Sequence, residues 1–204
     1  MKINLLLAVT ILSAFFVNVA FCQNVTITPD GITPQSDSGI HSVGEHYGGG
    51  IIFYVYDNGR HGLIAATSDI TNVSSGNGVT RITNARGNGI GAGMMNTMLL
   101  IAMQTNDNSS GTFAAKSCAE YNVTVDGVTY GDWYMPSLHE LRLLYDKSFI
   151  VGGFLYHYTI YLSSTEGSID WQFGYWFADE GNRDSHLEIF SKTQTGRTRP
   201  IRRF

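Results

Sequence analysis

His139 and Glu140 stand together in GDWYMPSLHELRLLYDKS, residues 131–148, as the first half of H-E-x-x-H. In that arrangement two histidines one helical turn apart hold a zinc ion and the glutamate activates its water. The second imidazole would fall at Leu143, so the ligand pair is not formed. His41, His46, His61, His157 and His186 are scattered singly, and no metal or other cofactor is expected. Ser137, three residues before Glu140, points to a different role for the segment. The hydroxyl and the carboxylate would each satisfy the other residue's backbone N–H as a capping box, with Pro136 fixing the approach. Leu138, Leu141, Leu144 and Tyr145 then form the inward stripe of a helix, and His139 is expected on its solvated side.

Other reactive types give no better chemistry. GNGIGAG, residues 87–93, has glycines at alternate positions, which is not G-x-G-x-x-G, and no strand leads into it. It is expected to be a flexible loop feeding a helix. Cys118 falls between Ala114 and Tyr121 on one helical face and is expected to be a small buried hydrophobe. The acid pairs Asp179 with Glu180 and Asp132 with Glu140 are indistinguishable from turn and cap residues, and no calcium-loop spacing appears. The expectation is a protein without enzymatic activity. The alternative is an exported hydrolase working through Asp170, Asp179 or Glu180.

DWQFGYWFADEGNRDSH, residues 170–186, mixes flat aromatic faces with bidentate polar groups, the combination that sugars and other polar ligands use. Strand alternation puts Trp171, Phe173, Tyr175 and Phe177 on one face and Gln172, Gly174 and Trp176 on the other. Core filling is the expectation for Trp171 and exposure for Trp176. At the end of the chain, GRTRPIRRF aims Arg199 and Arg203 to one side and Arg202 to the other. They either pair with local carboxylates or form an anion site. The candidate ligand-binding residues are therefore Asp170, Trp171, Tyr175, Trp176, Asp179, Arg183, Asp184, Arg199 and Arg202.

The elements that would position these groups are readable in outline. Met1 and Lys2 precede LLLAVTILSAFFV, an apolar run of signal-peptide length, so residues 1–22 are read as an export signal. Acylation of a retained Cys22 is the less favoured alternative, because bulky Phe21 precedes it. Residues 23–42 read as a polar tether with one edge strand, and a single domain is expected over 43–204. No later segment could span a membrane, and the net charge of −4 speaks against general nucleic-acid binding. IIFYVY and HGLIAA flank Asn58-Gly59, and NVTV and VTY flank Asp126-Gly127, both hairpin signals of the two-residue type. The polar stretch 67–93 reads as a long loop, MMNTMLLIAM as a helix buried all round, and TFAAKSCAEY as a second helix. YHYTIYLSS, IDWQFGYWF and HLEIFSK read as strands. The fold class is α+β, with an antiparallel sheet, two or three helices and long loops.

Taken in order, VGEHYGGGIIFYV with HGLIAA, GNGIGAGMMNT, AAKSCAEY, GDWYMPSLHELRLLY, YLSSTE and RTRPIRRF resemble the C-terminal domain family of the Legionella collagen-like adhesin, over about residues 43–204. The resemblance implies a C-type-lectin-like fold, similar in outline to formylglycine-generating enzymes and to retroelement-diversified receptor-binding proteins. It places ligand recognition between the YWSS-type strand and the terminal R-x-R strand, here Glu166 to Thr195. It also implies a sulfated or otherwise anionic glycan as a ligand class. Leu162 stands where that family has tryptophan, and no collagen-like repeat stands ahead of the domain in this sequence. Cys118 alone does not supply the cysteine pair of the oxidase chemistry. The combined expectation is a secreted or surface-displayed, adhesin-like binding domain for a polysaccharide or a surface protein, with a partner scaffold as the alternative.

Overall fold

The structure is a computed structural model that describes residues 25–28, 31–34, 39–157, 159–178 and 187–204. The proposed signal segment, and Asp179, Arg183 and Asp184 of the candidate site, lie outside the described residues. The chain divides into two units, Met1–Ser38 and Gly39–Phe204. In the first, β1 (Val25–Thr28) pairs antiparallel with β2 (Gly31–Pro34), so the leader carries a hairpin where a single edge strand was expected.

The second unit starts a few residues before the expected Val43. The His41 N–H donates to the Gly59 carbonyl at 2.8 Å, and the His41 ring packs 3.9 Å from Tyr47. β3 (His46–Tyr47), β4 (Gly50–Tyr56) and β5 (His61–Ala65) follow as antiparallel neighbours. The β4–β5 connection is longer than a two-residue turn: pairing resumes at Tyr56 with His61, and Asp57, Asn58 and Gly59 all take positive φ. The chain's last strand returns to this sheet as its other edge.

β6 (Ile70–Ser74) is a strand inside the stretch expected to be loop throughout. Residues 75–91 then lead into α1 (Ala92–Asp107), followed by α2 (Ala114–Glu120). β7 (Val123–Val125) and β8 (Val128–Tyr130) form the expected tight hairpin, with Asp126 and Gly127 both at positive φ in a two-residue loop. α3 (Leu138–Asp146) opens with the capping box read from Ser137 and Glu140, and a short α4 (Ser148–Val151) follows. β9 (Thr159–Glu166), β10 (Trp171–Phe177), β11 (Leu187–Ser191) and β12 (Thr195–Thr198) lead to β13 (Ile201–Arg203).

The strands make two larger sheets: β13-β5-β4-β3, and β11-β10-β9-β12-β6. All their pairings are antiparallel except β12 with β9, which run parallel at Arg197 and Tyr161. The architecture is α+β, as expected, with four helices among the described residues. Pro200 interrupts the arginine-rich end, so GRTRPIRRF divides between the two sheets instead of running as one alternating strand.

Both faces of the five-stranded sheet are covered over part of their area. On one face Leu162 packs with Leu100, Phe113, Ala114, Cys118 and Met135, the contribution of α1, α2 and the approach to α3. On the other, Tyr161 and Phe177 pack with Leu141 of α3. Burying each such side chain is worth about 1.5–3 kcal/mol. No described helix is long and apolar enough to cross a membrane.

Candidate functional site

β10 carries the aromatic tract, and the structure divides its residues differently from a simple core-and-surface alternation. Phe177 and Tyr175 lie under α3, with the Tyr145 ring 4.8 Å from Phe177 and 5.1 Å from Tyr175. Trp171, on the same face, lies beyond that cover and is 47 % exposed, against the expectation that it fills the core. Leu187 and Ile189 of β11, opposite Tyr175 and Phe173, are exposed beside it. Asp170 is exposed at the turn before the strand. The other face is not an outer one: Gln172 is buried and its amide donates to the Ser163 carbonyl. A Cβ on Gly174 would stand 2.7 Å from the Phe190 ring, so the missing side chain makes room for Phe190. Phe190 lies 5.7 Å from Trp176, which is half-buried.

Trp176 borders the groove that this sheet leaves open, about 210 Å³ in volume. Trp176 and Ile160 are direct partners across β10 and β9, so their side chains share a face. The missing Cβ of Gly196 would point at Ile160 and Leu162, on that same face. Asn72, Thr159 and Thr195 complete the uncharged lining. Asn72 takes a positive φ where the β6–β12 register shifts between Gly196 and Arg197, the kind of bulge that re-aims a side chain. Arg197 also borders the groove, but its side chain turns to Asp69 at 3.4 Å, on the face where Tyr161 also meets Asp69.

Arg199 and Arg202, expected as ligand-binding residues, are committed to the fold. Arg199 is completely buried. Its Nε donates to Asp69 at 2.5 Å and its terminal nitrogens to the carbonyls of Ala66, Gly152 and Gly153, while its guanidinium lies 3.8 Å from the Phe154 centroid. Burial, then the hydrogen bond to Asp69, pushes the Tyr161 phenol above its ordinary value. Arg202 forks onto Asp132 at 2.6 and 3.1 Å, donates to the Gly48 carbonyl and stacks over Tyr130. Arg199 is therefore no ligand site, and Arg202 is held by its own partners; local pairing, the other reading of these residues, describes both.

The remaining reactive groups are structural in the same sense. The glycine-rich loop meets a carboxylate from within the chain: Glu140 accepts from the N–H groups of Gly91, Gly93 and Ser137 and from the Tyr134 hydroxyl. The N-terminus of α1 thus already holds an anion. His139 is exposed on α3, as expected. Cys118 is buried, and desolvation pushes its thiol up to about 12 even though its hydrogen bond with Thr198 works the other way. Glu166, where the recognition window was expected to begin, is buried. It accepts from Lys192 Nζ at 2.6 Å, from the Thr83 N–H and hydroxyl, and from the Asn84 N–H. Burial raises its pKa, but these hydrogen bonds and the Lys192 charge outweigh it and leave the group below the ordinary 4.5. Among the described residues no three His, Cys, Asp or Glu side chains lie together as a metal site.

Sequence reasoning found Trp176 but missed Asn72, Thr159, Ile160, Thr195 and Gly196 around it. They come from three strands far apart in the chain, and no local pattern joins them. Compared with family models and with curated proteins, the chain matches none.

Proposed function

We propose that the chain is an exported, non-catalytic, adhesin-like domain of C-type-lectin-like fold that recognises a polar surface ligand, a glycan, through the β9–β10–β12 surface. The observation that carries this reading is the Trp176 groove, where an aromatic face meets uncharged polar groups on a sheet surface. The return of β13 beside the β4–β5 hairpin, with long loops between the two sheets, supports the fold assignment. The test is an array of neutral, carboxylated and sulfated glycans probed with the full chain, with circular dichroism as the check on folding. Saturable binding to one glycan class is the expected result, and a folded chain that binds none overturns the glycan reading.

A second reading, a scaffold for a protein partner, draws on α1, whose outward stripe of Met95, Met98 and Leu99 is exposed. It predicts a heteromer in solution and no glycan selectivity.

A further inference from the structure

We infer that the groove beside Trp176 is a subsite for a single uncharged sugar ring, so that the glycan recognised is neutral; this rests on the ligand-binding reading above. A pyranose presents an apolar face of C–H groups and an equatorial belt of hydroxyls. Binding it takes one flat apolar surface and donors and acceptors at its edge. Trp176 with Ile160 supplies the surface, since the two side chains share a face across paired strands. The volume of about 210 Å³ is below the roughly 300–1,000 Å³ of sites for drug-sized ligands, which suits one ring of a longer chain.

The polar groups at its edge are suited to hydroxyls. Asn72 and Thr195, both exposed, border the groove, and neither side chain makes a hydrogen bond to another described residue. Thr159 pairs with Phe177, so its hydroxyl, which donates to the Tyr156 carbonyl at 2.7 Å, belongs to the α3 face. The set therefore holds the Asn72 amide, which both donates and accepts, with Thr195 at the rim.

Among the described residues the groove is poor in charge. Arg197 is the only ionisable side chain among them that borders it, and that guanidinium turns across the sheet to Asp69. Arg199, Arg202 and Arg203 are likewise directed to Asp69, Asp132 and Tyr56. A sulfate or carboxylate placed beside Trp176 would lose hydration without meeting a counter-ion from the described residues, and that cost falls on anionic sugars alone. Neutral rings escape it.

The test is titration of the full chain with neutral hexose oligosaccharides and, in parallel, with a sulfated polysaccharide, each at low and at high salt. Trp176→Ala and Trp176→Phe are compared with the unaltered chain. Binding of the neutral probe that is indifferent to salt, weakened about tenfold or more by Trp176→Ala and largely kept by Trp176→Phe, supports the subsite. Trp176→Phe keeps an aromatic ring, so it covers the case in which the alanine variant does not fold. Binding of the sulfated probe alone, falling as salt rises, overturns the neutral subsite while leaving the ligand-binding reading in place. Neutral binding that survives in a folded Trp176→Ala chain overturns the groove as its location. Binding of neither probe by a folded chain overturns the subsite and the glycan reading together.

Discussion

α1 and α3 pack against opposite faces of the same sheet, yet they bury opposite chemistries. α3 turns Leu141 and Leu144 inward and leaves His139 in solvent, as its apolar spacing requires. α1 buries Asn96, Thr97 and Gln104 beside Leu100 and shows Met95, Met98 and Leu99 to solvent. The difference lies in what each helix touches. Beyond its first turn α3 meets side chains of the sheet, whereas α1 borders irregular backbone in residues 75–91 and 135 along its length, whose polar groups need partners once buried. Asn96 accepts from the Gly87 N–H and donates to the Gly87 carbonyl, Thr97 accepts from the Met135 N–H, and Gln104 donates to the Ser75 carbonyl. A helix can thus be built around the needs of a loop.

Glu140 is the residue where the two helices meet chemically, since it caps α3 and also accepts from Gly91 and Gly93 at the start of α1. Glu140→Ala would leave three backbone N–H groups and the Tyr134 hydroxyl without their acceptor. The expected loss is about 3–4 kcal/mol, read as a lower urea midpoint. If the loss were only the roughly 1 kcal/mol of an ordinary helix cap, the carboxylate would serve α3 alone and the link to α1 would be refuted.

Asn96→Ala isolates the α1 side. It strips the Gly87 N–H of its acceptor and the Gly87 carbonyl of one of its two donors, the Thr165 hydroxyl remaining, while leaving α3 untouched, and the expected loss is about 2 kcal/mol. Hydrogen exchange should quicken in residues 75–91 ahead of α3. Equal quickening in both helices would mean that they unfold as one unit and that the contrast between them is static only.

Acid offers a gentler probe of the same loop, because Glu166 holds Thr83 and Asn84 to the end of β9. Its folded pKa lies below the ordinary 4.5, so the unfolded chain takes up the proton first as pH falls. The stability that this carboxylate contributes is complete above about pH 4.5 and drains away as pH falls through the folded value. Glu166→Gln should be less stable than the parent at neutral pH, and its unfolding midpoint should fall less steeply on acidification. Parallel pH profiles would show that Glu166 does not set this slope.

How much was legible in the sequence follows the same division. The Ser137–Glu140 cap, the Asp126-Gly127 turn and the strands β9 to β11 rest on residues adjacent in the chain, and local rules reached them. β6 was hidden because ITNVS has too little alternation to stand apart from its polar surroundings. Trp171 and Trp176 were assigned to faces correctly, but which face is covered depends on where α3 ends, and spacing carries no such information. Arg199 looked like a ligand group because Asp69, the carboxylate that holds it, lies 130 positions away in the sequence. The groove around Trp176 was unreadable for the same reason.

The smallest expected effect bears on the outward face of α1. Met98 is 66 % exposed, so Met98→Lys should change stability by no more than about 0.5 kcal/mol, measured by urea unfolding. A buried methionine in a helix hydrophobic all round, which the sequence suggested, would instead cost several kcal/mol on charging. The two outcomes are far enough apart that one denaturation curve decides between them. If stability holds while a heteromer dissociates, the methionine stripe belongs to a partner, and the polar side of α1 is the one that belongs to the fold.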